Sequence, residues 1–174
     1  MTSPPVSSST IPMPRAAAAA ARASRSDRLK VAPARPSDIP AWADMRAALW
    51  PDADRDELEE ELEFLLDEPD RLWNLILFNE GGRPVGFAEV QLRALFDGSP
   101  VEPYPHLEAI WIAPEHRRSG AARMLLDAIE ARARAGDYEM LGSDADLDNI
   151  LSHQWHEALG FEEAGRQVLY RKPL

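Results

Sequence analysis

The chain has 174 residues, no cysteine and a formal net charge of −11 at pH 7. This length suits one domain with a substantial core, and the lack of cysteine excludes disulfides, thiolate metal sites and a cysteine acyl-enzyme. The acidic balance argues against binding to a nucleic-acid backbone, and no apolar run approaches the roughly 18 residues of a membrane span.

The first 28 residues differ in character from the rest. Residues 1–30 hold five basic residues and one acid, so residues 31–174 carry a net charge of −15. Residues 1–28 mix Ser, Pro and Thr with an alanine run and show no amphipathic period. We expect a disordered tail, or a start codon assigned too far upstream, followed by one domain over 29–174. The absence of cysteine is compatible with a cytoplasmic location.

Hydrophobic periodicity divides the domain into alternating strands and helices. Alternating or apolar runs predict six strands, over residues 29–34, 72–79, 84–96, 106–112, 138–143 and 161–172. Helical stripes predict four helices: one capped by Ser37 and ending at Trp50, then 54–66, then the helix after the turn 117–122, and finally 149–159. Gly81-Gly82 suits a tight hairpin turn between the second and third strands.

The turn between the fourth strand and the third helix carries the clearest chemical signal. Its sequence is Arg117-Arg118-Ser119-Gly120-Ala121-Ala122. The first turn of a helix presents unpaired N–H groups and the positive end of the macrodipole, which favours a phosphate. Glycine and the two alanines allow close approach of a bulky anion, and Arg117, Arg118 and Arg123 add charge. The turn therefore predicts a pyrophosphate-binding site.

The Arg-x-x-Gly-x-Ala spacing at this turn resembles the acetyl-coenzyme A signature of the GNAT N-acetyltransferases. The element order β-α-α-β-β-β-α-β-α-β also matches that superfamily over nearly all of residues 29–174. The resemblance implies an α/β (α+β) fold whose central sheet is mixed and mostly antiparallel. It further implies that this sheet splays between strands 4 and 5, that about four helices flank it, and that acetyl-coenzyme A is the co-substrate.

Further segments resemble bacterial aminoglycoside 6'-N-acetyltransferases in order and spacing. They are Trp42, Arg46, Leu49-Trp50-Pro51, Gly86-Phe87-Ala88, Leu107-Glu108, Ser143-Asp144, Asn149, His156-x-Ala158-Leu159-Gly160-Phe161 and Tyr170-Arg171-Lys172. The resemblance implies acetylation of the 6'-amine of an aminoglycoside, antibiotic resistance and a homodimer. Two alternatives stay open: a GNAT enzyme for another amine, such as a polyamine or a protein lysine or N-terminus, and a non-catalytic acyl-coenzyme A-binding module.

An acidic run supports a polycationic substrate independently of the resemblance. Residues 52–70 hold eleven acids and one base, Arg55. Most of these side chains are expected to be an ordinary solvated helix face. Aminoglycosides carry several ammonium groups, however, and an acidic rim would raise their local concentration.

Two carboxylates are the candidate acceptor-binding and catalytic groups. Strand alternation places Glu108 on one face with Ile110 and Ile112, and Leu107 on the other with Ala109 and Trp111. Asp144 follows the fifth strand, although it could equally belong to an acidic capping loop. The resemblance puts Glu108 and Asp144 in the acceptor cleft, where either could take the proton from the amine.

The resemblance implies roles for a few further residues. It assigns the backbone amides of Ile110, Trp111 and Ile112 to the thioester, Asn149 to the pantetheine arm and Trp50 to the substrate. His156 occupies the position of a general-acid tyrosine, but it could instead be a packing residue. His153 and His156 have a metal-binding spacing but no evident third ligand, so we expect no metal.

Overall fold

The computed structural model describes residues 29–94 and 102–173, and the expected N-terminal tail lies outside these ranges. Five strands form one sheet in the order β1-β2-β3-β4-β5. They are β1 (Lys30–Pro33), β2 (Leu72–Phe78), β3 (Pro84–Arg93), β4 (Tyr104–Ile112) and β5 (Gly142–Ser143). The α-helices are α1 (Ile39–Leu49), α2 (Arg55–Asp67), α3 (Ala121–Ala135) and α4 (Ile150–Ala158), with short 3-10 turns at Pro36–Asp38 and Pro114–His116.

The sheet is mixed and mostly antiparallel, as expected from the sequence. Strands β1 to β4 pair antiparallel, and β4 pairs with β5 in parallel. One face packs against α3, which buries Leu125 and Ile129 completely. The other face packs against α1 and α2, through Trp42, Leu62 and Phe87. Within the described residues, no helix is long and apolar enough to span a bilayer.

The capping prediction for the first helix was wrong. Ser37 lies inside the 3-10 turn, and α1 begins only after Asp38. Asp38 accepts a hydrogen bond from the backbone N–H of Arg35 at 2.9 Å, which closes this turn before the α-helix starts. Pro36 favours this arrangement, because a proline at the first helical position needs no N–H partner.

The last two predicted strands are shorter than expected or absent. Of residues 138–143, only Gly142 and Ser143 pair with β4. Residues 161–173 form no strand, so that prediction was wrong, and Val168, Leu169 and Tyr170 are 71%, 85% and 90% exposed. The apolar run Val168-Leu169-Tyr170 favours a strand, but ladder hydrogen bonds need a neighbouring edge as well as suitable residues.

A β-bulge at Glu108 changes which side chains share a face of β4. Glu89 lies opposite Ala109 and the next residue of β3 lies opposite Leu107, so Glu108 is the extra residue on β4. As a result Leu107 packs in the same core as Ile112, on the α3 side of the sheet, while Ala109 packs on the other side. The expected alternation was therefore wrong for Leu107, because a bulge reverses the period of a strand at that point.

Candidate active site

The sheet opens between β4 and β5. These strands pair only at His106 with Gly142 and at Leu107 with Ser143, whereas β4 continues to Ile112. The N–H of Ala113 donates to the carbonyl of Val85 next to β3, at 2.9 Å. Because backbone groups alternate in direction along a strand, those of Ile112 and Ile110 face the open side.

Beyond Leu107, no described strand pairs with the open side of β4, so the sheet does not use the backbone groups there. Arg117 Nε donates to the carbonyl oxygen of Ile112 at 2.8 Å, which fixes the start of the phosphate turn against this edge. Trp111 lies opposite Phe87, and the same alternation turns its backbone groups toward β3. Of the three expected backbone contacts to the thioester, the geometry therefore favours Ile110 and Ile112.

The phosphate turn has the geometry that anion binding requires. Gly120 has φ +94° and is the N-cap of α3, a conformation in which side chains are strained. Its carbonyl accepts the first helical hydrogen bond, from the N–H of Met124 at 3.0 Å. The N–H groups of Ala121 and Ala122 precede that bond and have no acceptor within the helix. These features fit a pyrophosphate at the positive end of α3.

The polar side chains of the turn divide between structure and binding. The Ser119 hydroxyl donates to the carbonyl of His116 at 2.6 Å and so stabilises the turn internally. Arg118 is exposed and has φ +58°. Arg123 pairs with Asp127, one turn further along the helix, with its Nε 2.7 Å from the carboxylate. Arg123 therefore already has a carboxylate partner, whereas among the described residues no carboxylate pairs with Arg117 or Arg118.

Glu108 and Asp144 lie close together where the pairing of β4 with β5 ends and the opening begins, although they are far apart in sequence. Arg93 bridges them: its Nη1 lies 3.2 Å from Glu108 Oε2 and its Nη2 lies 2.8 Å from Asp144 Oδ2. The side chains of Glu108 and Asp144 are 29% and 73% exposed, so an acceptor can reach both. The structure thus joins the two predicted carboxylates in one cluster.

Sequence reasoning missed two members of this cluster. Arg93 ends β3, and nothing in its local sequence marks it as a partner of distant carboxylates. His106 lies on β4, its side chain is only 1% exposed, and its Nε2 lies 3.1 Å from Arg93 Nη2. Its position two residues before Glu108 was the one available signal.

His156 packs between α4 and β5. Its Nδ1 lies 2.7 Å from the carbonyl oxygen of Ser152, and its Nε2 lies 2.9 Å from Ser143 Oγ, next to the opening of the sheet. The ring also makes edge contacts with Trp155 and Phe161. A carbonyl accepts only, so Nδ1 carries a proton, and a neutral ring then has no proton on Nε2 to donate.

The other two predicted contact residues lie at helix ends. Asn149 caps α4 by accepting a hydrogen bond from the N–H of Ser152 at 3.1 Å, which leaves its amide NH₂ for a ligand. Trp50 follows α1 and is 37% exposed, and the guanidinium of Arg46 lies 5.0 Å from its ring centroid. Arg46 therefore covers one face of that indole ring by a cation–π contact.

The carboxylate of Glu89, near the acceptor-binding residues, is buried in the fold. Glu89 on β3 accepts a hydrogen bond from Trp42 Nε1 at 2.9 Å, and Arg46 Nε lies 3.2 Å from the same oxygen. Burial raises the pKa of Glu89 to about 7, although Arg46 and Trp42 oppose the rise. Trp42 and Phe87 are fully buried, with ring centroids 6.5 Å apart, so both are core aromatics.

In the described ranges, no group of three His, Asp or Glu side chains is placed to hold a metal ion. His153, which shares a helix face with His156, has its Nε2 3.1 Å from the carbonyl oxygen of Asp146.

Comparison with known proteins identifies the family. The profile of the acetyltransferase (GNAT) family matches residues 39–161. An aminoglycoside N(6')-acetyltransferase type 1 from Stenotrophomonas maltophilia is 39% identical over 142 residues, which are 81% of this chain and 91% of the relative. A protein with the same description from Acinetobacter genomosp. 13 is 34% identical and covers 83% of this chain and 98% of its own.

Solved structures agree with these relatives. The aminoglycoside antibiotic 6'-N-acetyltransferase AAC(6')-Ih from Acinetobacter baumannii superposes with a TM-score of 0.76 at 31% identity, over 84% of this chain and 99% of that one. AAC(6')-Iy in complex with the bisubstrate analog CoA-S-monomethyl-acetylneamine gives the same TM-score at 28% identity, over 84% and 99% of the two chains. The profile match and these relatives agree with the open sheet and the glycine-capped turn. The chain therefore belongs to the acetyltransferase (GNAT) family and is an N-acetyltransferase that uses acetyl-coenzyme A.

Proposed function

We propose that this protein transfers the acetyl group of acetyl-coenzyme A to the 6'-amine of an aminoglycoside antibiotic and thereby confers resistance. The observation that carries the proposal is the joint placement of Glu108 and Asp144 beside the open edge of β4. The descriptions of the relatives, which are aminoglycoside N(6')-acetyltransferases, support the substrate class. We also propose that the catalytic domain begins near residue 29.

The acceptor amine must lose a proton before it reacts. An alkylammonium has a pKa of about 10.4 by analogy with lysine, so at neutral pH almost all of the amine is protonated. Glu108 and Asp144 bind the ammonium, and one of them takes its proton directly or through a water molecule. The neutral nitrogen then attacks the thioester carbonyl, forming the amide bond as the carbon–sulfur bond breaks.

The remaining groups serve the acetyl donor. Charge that develops on the thioester oxygen is stabilised by the N–H groups of Ile110 and Ile112 at the open edge. The pyrophosphate binds at Gly120, Ala121 and Ala122 with help from Arg117 and Arg118, and the Asn149 amide contacts the pantetheine arm. The sequence has no cysteine and no serine in a nucleophile-elbow motif. The Ser143 hydroxyl, which lies beside His156, donates to the carbonyl of Leu107 at 3.2 Å. Attack is therefore direct rather than through an acyl-enzyme.

The proton that the leaving thiolate needs comes either from His156 or from water. His156 can supply it only as an imidazolium, because its Nδ1 proton is already bound to the Ser152 carbonyl. The variant His156→Asn separates the two sources. Wild-type turnover with an unchanged pH profile would assign His156 to packing, whereas loss of the alkaline limb of that profile, where an imidazolium donor would lose its proton, would assign it to proton transfer.

The acidic surface of α2 serves to attract a polycation. Eleven acids lie between residues 52 and 70, and most of their side chains are exposed. We expect the KM for the acceptor to rise as ionic strength increases, because salt screens exposed charges beyond about 10 Å at 0.1 M. An acceptor KM that is the same at low and high salt would contradict this role.

We also propose a homodimer that works in the cytoplasm. The support is the exposure of Val168, Leu169 and Tyr170, which is the kind of apolar segment that a second copy would cover. Light scattering coupled to size-exclusion chromatography tests this, with Leu169→Glu as the perturbing variant and the exposed charge substitution Arg166→Glu as its control. A wild-type monomer at micromolar concentration would exclude the dimer.

The decisive experiment follows release of free coenzyme A thiol. Tobramycin is the test acceptor, and spermidine, a lysine peptide and an aminoglycoside with a 6'-hydroxyl group are the comparisons. Glu108→Gln and Asp144→Asn should slow turnover, and Glu139→Gln, at an exposed position outside the acidic run, is the matched control. Release with tobramycin alone supports the 6'-amine, release with spermidine or peptide indicates another amine, and tight acetyl-coenzyme A binding without release indicates a binding module.

A further inference from the structure

Arg93 has no role in the mechanism derived above, although it lies between the two acceptor carboxylates. One guanidinium nitrogen is 3.2 Å from Glu108 and the other is 2.8 Å from Asp144. Arg93 is therefore a cation of the protein itself, held where the substrate ammonium is expected to bind. Without it, two carboxylates on adjoining strands would repel each other and separate.

His106 is the fourth member of the cluster, and its side chain is buried. Its Nε2 lies 3.1 Å from Arg93 Nη2, and a guanidinium can only donate, so Nε2 must accept. A neutral ring then carries its hydrogen on Nδ1. This atom is buried and makes no well-formed hydrogen bond within the described part of the chain, yet it faces Glu108 Oε1 at 3.4 Å. The ring is thus placed to orient the Glu108 carboxylate.

The position of His106 is fixed by close packing against β5. A Cβ atom added to Gly142 would lie 2.9 Å from Cδ2 of His106 and 2.7 Å from a ring carbon of Tyr104. Glycine at this position allows β5 to lie directly over the two rings. The imidazole therefore has little freedom to turn away from Arg93 and Glu108.

The charges of the cluster do not cancel. With a neutral imidazole, two carboxylates and one guanidinium leave a net charge of −1. We propose that Arg93 and His106 are positioning residues that hold Glu108 and Asp144 together as a pair with one net negative charge, which fits a single ammonium group of the acceptor. This inference rests on the proposed function, since it concerns the same acceptor site.

The first test reads the tautomer of His106 and needs no turnover. In ¹⁵N-labelled protein, two-bond ¹⁵N–¹H correlations distinguish the two neutral tautomers, and the resonances of His106 are identified by their loss in His106→Asn. His153→Asn is the control that removes a different ring. We expect hydrogen on Nδ1. An Nε2–H tautomer at neutral pH would overturn the role of His106.

Two amide substitutions test which ring atom matters. Asparagine places its amide where Nδ1 stands, next to Glu108, whereas glutamine reaches the position of Nε2, next to Arg93. Both remove the aromatic ring, so the loss of packing is common to them. We expect His106→Asn to retain at least severalfold more kcat than His106→Gln, and equal or reversed losses would refute orientation of Glu108 through Nδ1.

Arg93→Met and Arg93→Lys test the charge of the cluster. Arg93→Met changes the net charge of the cluster from −1 to −2, so we expect tighter binding of a polycationic acceptor and a lower KM. The same variant should lose about 10- to 100-fold in kcat, because the carboxylates are misplaced. Arg93→Lys keeps the charge but cannot bridge as a fork, and should fall between Arg93→Met and the wild type. The exposed pair of Arg71 with Glu68 provides the control, Arg71→Met.

A non-reacting ligand separates this inference from the proposed function. Calorimetry with tobramycin in the absence of acetyl-coenzyme A, where no transfer can occur, should give tighter binding to Arg93→Met than to the wild type, with a steeper dependence on salt. Unchanged kcat in Arg93→Met, or weaker binding of this ligand with the fold intact by circular dichroism, would overturn the inference. If the wild-type enzyme acetylates no aminoglycoside, the proposed function fails, whereas the tautomer still tests the His106 arrangement.

Discussion

The Glu89 carboxylate makes the stability of this protein depend on pH in an unusual direction. It is buried between α1 and β3, where Trp42 Nε1 donates to it and Arg46 lies 3.2 Å away. Burial raises the pKa of Glu89 from the ordinary 4.5 to about 7. The folded protein therefore holds this proton more tightly than the unfolded chain does between those two pH values.

The sign and size of the effect follow from this difference. A carboxyl with a raised pKa contributes most to folding below pH 4.5, and its contribution declines until about pH 7 and is then constant. At about 1.4 kcal/mol per pKa unit, the rise amounts to about 3 kcal/mol in the free energy of unfolding. The variant Glu89→Gln keeps a neutral hydrogen-bonding group and should lack this pH dependence.

Urea unfolding at several pH values, followed by tryptophan fluorescence, measures the effect. The quantity to compare is the free energy of unfolding of wild type minus that of Glu89→Gln, which should fall by about 3 kcal/mol from pH 4.5 to pH 7. Glu61→Gln is the control, because Glu61 pairs with the same Arg46 but is mostly exposed. A difference that instead rises with pH would show that Arg46 outweighs burial, and the reasoning would be refuted.

Three substitutions test other parts of the fold and site. Phe87→Ala empties a fully buried position and should cost about 3–5 kcal/mol in urea unfolding, so a loss below 1 kcal/mol would contradict the described core. Gly120→Ala puts a side chain at φ +94° and should raise the KM for acetyl-coenzyme A more than it lowers kcat, whereas an unchanged KM would refute the phosphate turn. Gly142→Ala should lower both Tm and kcat, since its Cβ would lie under 3 Å from two rings, and wild-type values for both would refute that packing.

The parts of the site that lie within a short stretch of chain were predictable from the sequence. The strand–turn–helix geometry around Gly120 is one, because strand, glycine and helix start follow one another directly. The extent of α2 was nearly correct for the same reason, since Asp54 caps it and Leu58 and Leu62 mark its buried face. Local hydrogen bonds and a single helical period decide both features.

The parts that depend on distant contacts were not predictable. Arg93 is separated from Glu108 by 15 residues and from Asp144 by 51, and the sequence contains no sign that they pair. The bulge at Glu108 depends on the register with β3, which reverses the face of Leu107 without a glycine or proline to mark it. The final strand was predicted around the apolar run Val168-Leu169-Tyr170, and such a run does not specify which edge of the sheet it would join.

The open side of β4 carries a hazard as well as a function. Within the described sheet, β4 has no neighbour beyond Leu107 on that side, and unpaired strand edges are where other chains add and aggregates begin. A ligand lying along this edge would block such addition. It would also stabilise the fold by mass action, by about 2.7 kcal/mol at a hundredfold excess over Kd. The supply of acetyl-coenzyme A would then set part of the enzyme's stability as well as its rate, and a cell depleted of the co-substrate would hold the enzyme without that contribution.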